Sequence, residues 1–317
     1  MRTTLFILFV TVLVGQLAAS QGIAGQRTVE ITPAQLEDGR PLPLWIDSLK
    51  RRMPEEEWRT YGEIRKPLNE EERAWLALIE SVSDDWLASV PEIDAGFPKV
   101  RPPETIRILA GNQGGNDGFT HLLDIICTDL SDLIRNYGSA DKPENRNRMI
   151  RILSHEYTHL LTKAWLADHP WLDDTPFRSV LWELYYEGLG NMQSLILSEK
   201  WITADYQLTE RARKTIRELE PVMLKRLSEL AKNPGPEEET ALRRNLSAGP
   251  FTKKWGALPI ALWLAVETRF EPTEIAEWVE RGPAGILEIA TKYSAANNHP
   301  TFNYLLDQAK RQSVISD

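Results

Sequence analysis

The sequence predicts an α+β protein that is mostly α. Three observations carry this prediction. Apolar residues recur at helical spacing over long stretches, as in Trp75, Ile79, Val82 and Trp86, and again in Ile150, Leu153, Tyr157, Leu160 and Leu161. Strand-like runs are confined to residues 105–129, on either side of a glycine-rich segment. From Thr209 onward the pattern is nearly all helical, broken at Pro234-Gly235-Pro236, Gly249-Pro250 and Gly282-Pro283.

Each element has a local reason. Residues 21–68 are rich in proline and charge, with short helical pieces such as Leu44 to Arg52. Asn69, with Glu72 three residues on, makes a capping-box pattern that opens a helix, and Pro91 is expected to close it. Thr105 to Ala110 reads as a strand and Gly111 to Gly118 as a turn. Phe119 to Asp129 fits a second strand forming a hairpin with the first, although Leu122, Ile126, Leu130 and Leu133 also fit a helix. Pro143 opens a helix to about Ala167, and Phe177 to Glu199 forms the next after a loop containing Pro170 and Pro176. The expected organisation is a leader at 1–20, an N-terminal extension at 21–68, a catalytic core at 69–200 and a helical C-terminal subdomain at 201–317.

Composition narrows the partners. The hydrophobic fraction is 42%, ordinary for a folded chain, and the net charge is -9, which argues against nucleic acid as a partner. Arg2, the apolar run from Leu5 to Val14 and the small residues Ala18-Ala19-Ser20 read as a signal peptide cut after Ser20. That places the mature chain outside the cytoplasm, secreted or periplasmic. No later segment reaches about 18 uninterrupted apolar residues, so stable membrane insertion is not expected. Cys127 is the only cysteine, which excludes an internal disulfide, and its apolar setting predicts a buried, inert thiol.

The chemistry is concentrated in Ser154-His155-Glu156-Tyr157-Thr158-His159. Histidines at i and i+4 share one helical face, one turn apart, and can bind a single Zn2+ ion. Glu156 falls beside them, where a carboxylate can take a proton from water activated by the metal. By composition alone the pattern arises in roughly 1% of such chains. The ordinary alternative is a helix with two packed histidines. It would bury two imidazoles and a carboxylate without partners to satisfy them. Thr162 and Trp165 stand where a metzincin carries glycine and a third ligand, so that class is excluded. Glu187, in Tyr185-Tyr186-Glu187-Gly188-Leu189-Gly190, is the better third ligand, on a helix able to pack antiparallel to the first. Glu183 shares its face and is the main rival; Asp173 and Asp174 are weaker ones. Asn191, one turn after Glu187, is placed to accept a hydrogen bond from a ligating histidine.

With these motifs in view, the chain resembles gluzincin peptidases, the HExxH-plus-glutamate branch of the zincins. It looks most like secreted bacterial predicted zinc-dependent proteases. The resemblance covers residues 104–200. It implies a zincin-like core with a small sheet and an active-site helix. It also implies His155, His159 and Glu187 as zinc ligands, Glu156 as general base, and a peptide or protein substrate laid along an edge strand. The loop from Gly111 to Gly118 would rim the cleft. The family draws an oxyanion stabiliser from downstream helices, where Tyr293, His299 and Tyr304 are all available. Two departures stand out. The segment between the two motifs is longer than in thermolysin-like members, and Asn191 replaces an aspartate. Two other classes of function fit the same residues: a noncatalytic binding or scaffold protein on this fold, and a zinc hydrolase of a non-peptide substrate.

Overall fold

The computed structural model describes residues 27–63, 65–171, 173–195 and 200–311. The signal-peptide assignment at 1–20 lies outside these residues. In chain order the elements are β1 (Thr28–Pro33), α1 (Pro43–Lys50), α2 (Glu55–Glu63), α3 (Glu70–Ala95), β2 (Thr105–Gly111), β3 (Phe119–His121), β4 (Ile125–Asp129), α4 (Leu130–Tyr137), α5 (Pro143–Asp168) and α6 (Pro176–Leu195). The C-terminal part adds α7 (Glu210–Leu230), α8 (Pro236–Arg243), α9 (Ala257–Thr268), α10 (Pro272–Arg281), α11 (Gly285–Tyr293) and α12 (His299–Arg311). The architecture is α+β and mostly α, as the sequence predicts. Among the described residues no helix is long and apolar enough to cross a membrane.

The sheet runs β1-β2-β4-β3. β1 and β2 are parallel, as are β2 and β4; β3 alone is antiparallel, at the edge beside β4. The expected hairpin between 105–110 and 119–129 is therefore corrected. The second run does not form one strand, because Leu122 sits in the left-handed region at φ 57° and turns the chain back. The hairpin joins β3 to β4. β2 meets β4 in parallel through the register Ile108↔Ile126.

Parallel strands are covered on both faces, and period-2 alternation shows both covers. Ile106, Ile108 and Ile126 point into the large core beneath the helices; Leu109, Ile125 and Cys127 point into a smaller one with Trp45 and Leu49 of α1. Residues 28–50 thus supply both a strand and the helix on the sheet's outer face. The sequence set this stretch apart as an extension because its charge and proline content masks the six-residue strand. The larger core runs without a break from Trp75 to Ala309, so α7 to α12 share it with the sheet and α5.

α3 opens as expected. The Asn69 side chain accepts from the Glu72 amide and the Glu72 carboxylate accepts from the Asn69 amide, both at 2.9 Å. It does not stop before Pro91. The proline lies on the solvent side, so the backbone bond it removes falls on the exposed face, while Val90 and Ile93 stay buried on the core side. The second site helix is observed to Leu195, and its expected end at Glu199 falls outside the described residues.

Cys127 sits in β4, fully buried, and burial pushes its thiol up to about 12. The folded protein at pH 8 should leave Cys127 unlabelled by an aromatic disulfide reagent, and denaturant should expose one reactive thiol per chain. Rapid labelling of the native protein would show that β4 is not enclosed as described.

Candidate metal centre

α5 holds the HExxH residues inside the protein because its buried positions, apolar and polar together, nearly encircle it. Leu153, Tyr157, Leu160, Leu161 and Trp165 are all buried, so the helix runs through the core between α3, α6 and the sheet. α6 starts at a Thr175 cap, whose hydroxyl accepts from the Arg178 amide at 3.2 Å. It then packs between α5 and α9.

Two glycines on α6 set its position. A Cβ on Gly190 would stand 2.8 Å from His159 Cε1 and 3.0 Å from His155 Cε1. A Cβ on Gly188 would stand 2.6 Å from Ile260 Cγ2 of α9. Residues two apart on a helix face nearly opposite ways. Gly190 therefore lets the histidines of α5 approach on one side, and Gly188 lets α9 approach on the other. The glycine that faces the histidines is Gly190, not Gly188, although Gly188 is the one adjacent to Glu187 in sequence.

The approach brings the three expected ligands together. His155 Nε2 lies 3.6 Å from Glu187 Oε2, and His159 Nε2 lies 3.6 Å from Glu187 Oε1. One nitrogen or oxygen from each of the three lies within 4.8 Å of the others, a spacing able to hold a metal ion. Glu183 is turned elsewhere. It accepts from Ser247 Oγ at 2.6 Å and from Arg243 Nη1 at 3.3 Å. Asp174 is exposed and lies 3.7 Å from Arg178.

Electrostatics suit a cation. Burial, then repulsion from His159, pushes the His155 imidazole down to about 3, and burial pushes His159 down too. Both rings are neutral near pH 7, the form that binds metal. Burial opposes ionisation of Glu187, but attraction and hydrogen bonding from His159, then attraction from His155, hold its carboxyl down at about 2. Glu156 is pushed the other way, well above the usual carboxylate range, by burial and by the Glu187 charge. One of its oxygens, Oε2, is buried with no hydrogen-bond partner among the described residues. Gly118, the last residue of the glycine-rich loop, packs on Glu156; a Cβ there would lie 2.9 Å from Oε1. The loop thus borders the site.

Other expectations are met differently. Asn191 does not accept from a histidine: its amide donates to the Glu187 carbonyl at 2.8 Å and to Glu187 Oε2 at 3.4 Å. It steadies the carboxylate, because residue 191 stands four along α6 from Glu187 and α6 meets the histidines through Gly190. The Nδ1 atom of His159 is buried with no partner among the described residues. Tyr293 donates to Glu267 at 2.6 Å, His299 bonds the Ser294 carbonyl at 3.0 Å and Tyr304 is exposed. Tyr186 is the aromatic at the triad, its ring stacked on His159 with centroids 3.6 Å apart and its hydroxyl 3.2 Å from Thr120 Oγ1. Its position next to Glu187 was the only sequence signal for it. Comparisons with protein-family models, curated proteins and solved structures return no match.

Two substitution pairs probe this geometry. Gly190→Ala should lower zinc affinity about 10–100-fold by displacing the histidines, as loss of an orienting contact does elsewhere. Gly188→Ala should cost about 1–3 kcal/mol of stability through overpacking on Ile260 and leave zinc affinity nearly unchanged. Glu187→Ala should weaken zinc binding by more than Gly190→Ala does, while Glu183→Ala should leave it near wild type. Competition with a chromogenic chelator and urea denaturation read both pairs, and the reverse ranking would move the ligand to Glu183.

Proposed function

We propose that the chain is a zinc-dependent hydrolase that cleaves peptide bonds, a metallopeptidase of the gluzincin type. The observation that carries this reading is the meeting of Glu187 with His155 and His159, beside a Glu156 oxygen with no partner of its own. Two neutral imidazoles and one carboxylate fit Zn2+ in type and number, with one position left for water. When bound, zinc would supply Lewis-acid polarisation of water and of the scissile carbonyl.

The chain's own residues do the rest. His155 and His159, fixed one turn apart on α5, and Glu187, steadied by Asn191, hold the ion in place. Glu156 accepts a proton at its carboxylate from the attacking water and passes it to the leaving amine. The enclosure of Glu156 beneath Gly118 raises its proton affinity, which the ion's charge would bring back towards that of a base acting near neutral pH. β3 favours a peptide over another substrate. It is the terminal strand of the sheet, packed on α5, the place where an extended backbone would add. The stretch read as a leader at 1–20 would add export to this reading.

Protein purified without chelator should carry about one zinc per chain. It should cleave members of a peptide library, and 1,10-phenanthroline should stop it. Glu156→Gln should keep the zinc and lose about 10²–10⁴-fold in rate, whereas His155→Ala should lose both metal and activity. A metal-loaded protein that cleaves no peptide points to a binding role or a non-peptide substrate. An active Glu156→Gln removes the proton-transfer role.

A further inference from the structure

A hollow of about 680 Å³ opens at the end of β3, within the size range of ligand sites. Its walls include Arg51, Arg52, His121, Leu122, Leu123 and Lys163. Three separate parts of the chain deliver them: the end of α1, the β3–β4 turn and α5. Lys163 stands one helical turn beyond His159. Its ammonium donates to the Thr120 hydroxyl, which also meets the Tyr186 hydroxyl, and Tyr186 stacks on His159. The hollow therefore lies along the edge strand, a short chain of contacts from the metal ligands.

Its cations are not committed to the protein's own acids. Among the described residues, none of Arg51, Arg52 and Lys163 forms an ion pair with a carboxylate. Asp124, also at the wall, is held by Arg107 at 2.6 and 3.0 Å, and Asp47 faces His121 at 3.2 Å. Arg52 lies 3.8 Å over the Phe119 ring, which fixes it against β3. The α1 dipole accounts for cations at its C-terminus, but not for Lys163 arriving from α5. The rim is apolar: Leu123 is 51% exposed, and Leu122 is held at φ 57°, a conformation disfavoured for any residue with a Cβ. Cations with no ion pair among the described residues, an apolar rim and the adjoining terminal strand suit a peptide that ends or branches in a carboxylate.

We propose that this hollow is a specificity subsite that holds a carboxylate of the peptide substrate, an acidic side chain or the free C-terminus, on Arg51, Arg52 and Lys163. The proposal rests on the peptidase reading above. Zinc-loaded Glu156→Gln protein, which does not turn substrate over, is titrated with three tetrapeptide pools. One has free C-termini, one has amidated C-termini, and one is amidated with a fixed glutamate; none of the amidated pools otherwise contains acidic residues. At least one anionic pool should bind about tenfold or more tightly than the neutral pool. Which of the two does so identifies the source of the carboxylate. Adding Arg51→Gln and Arg52→Gln should erase the preference while zinc content and unfolding midpoint stay the same. Equal binding of all pools, no binding of the anionic pools, or a preference that survives the double substitution overturns the proposal. Wild-type cleavage of the same pools separates the two readings. Cleavage without charge preference keeps the peptidase and removes the subsite. A charge preference in binding with no cleavage keeps the subsite and removes the peptidase.

Discussion

The close approach of α6 to α5 is the contact on which the site depends. Helix axes come this near only where one helix presents no side chain, and Gly190 presents none to the two histidine rings. Gly188 does the same towards α9, so α6 is held from both sides. Glu187 lies between these two glycines. Its carboxylate reaches both imidazoles without any unusual loop or strained backbone of its own. The geometry of the triad is therefore a product of helix packing, and α9, on the far side of α6, is part of what maintains it.

The sheet does a second job. Its interior strands are buried on both faces, and α1 closes the outer one through Trp45 and Leu49. This leaves β3 at the edge, lying over α5. The same α1 that completes the smaller core ends at Arg51 and Arg52, beside that edge. One short helix thus contributes to stability and to the surroundings of the site, which is why residues before Asn69 belong with the rest of the fold.

Charge is distributed unevenly around the centre. Glu156, Glu187 and both histidines are crowded in a site where desolvation is the leading influence on each. Such groups are costly without partners, and a divalent cation would relieve several at once: it ligates the imidazoles, neutralises Glu187 and lowers the proton affinity of Glu156. Lys163 and Arg52 act on Glu156 in the same direction, from further away.

The sequence by itself determined the periodic and chemical parts. Helical spacing placed α3, α5 and α6, the capping box opened α3, and i, i+4 spacing put His155 and His159 on one face. It narrowed the third member to Glu187 and Glu183 but could not separate them by periodicity, since they share a face. Tertiary structure decided what depends on neighbours distant in the chain. Ser247 and Arg243, some sixty residues on, draw Glu183 away. The burial of Val90 and Ile93 carries α3 through Pro91. The left-handed Leu122 splits a run that looked like one strand, and the partner that makes 28–33 a strand, β2, lies more than seventy residues on. Local rules act over one or two turns of helix, whereas each of these outcomes is fixed by atoms that meet only when the chain is folded.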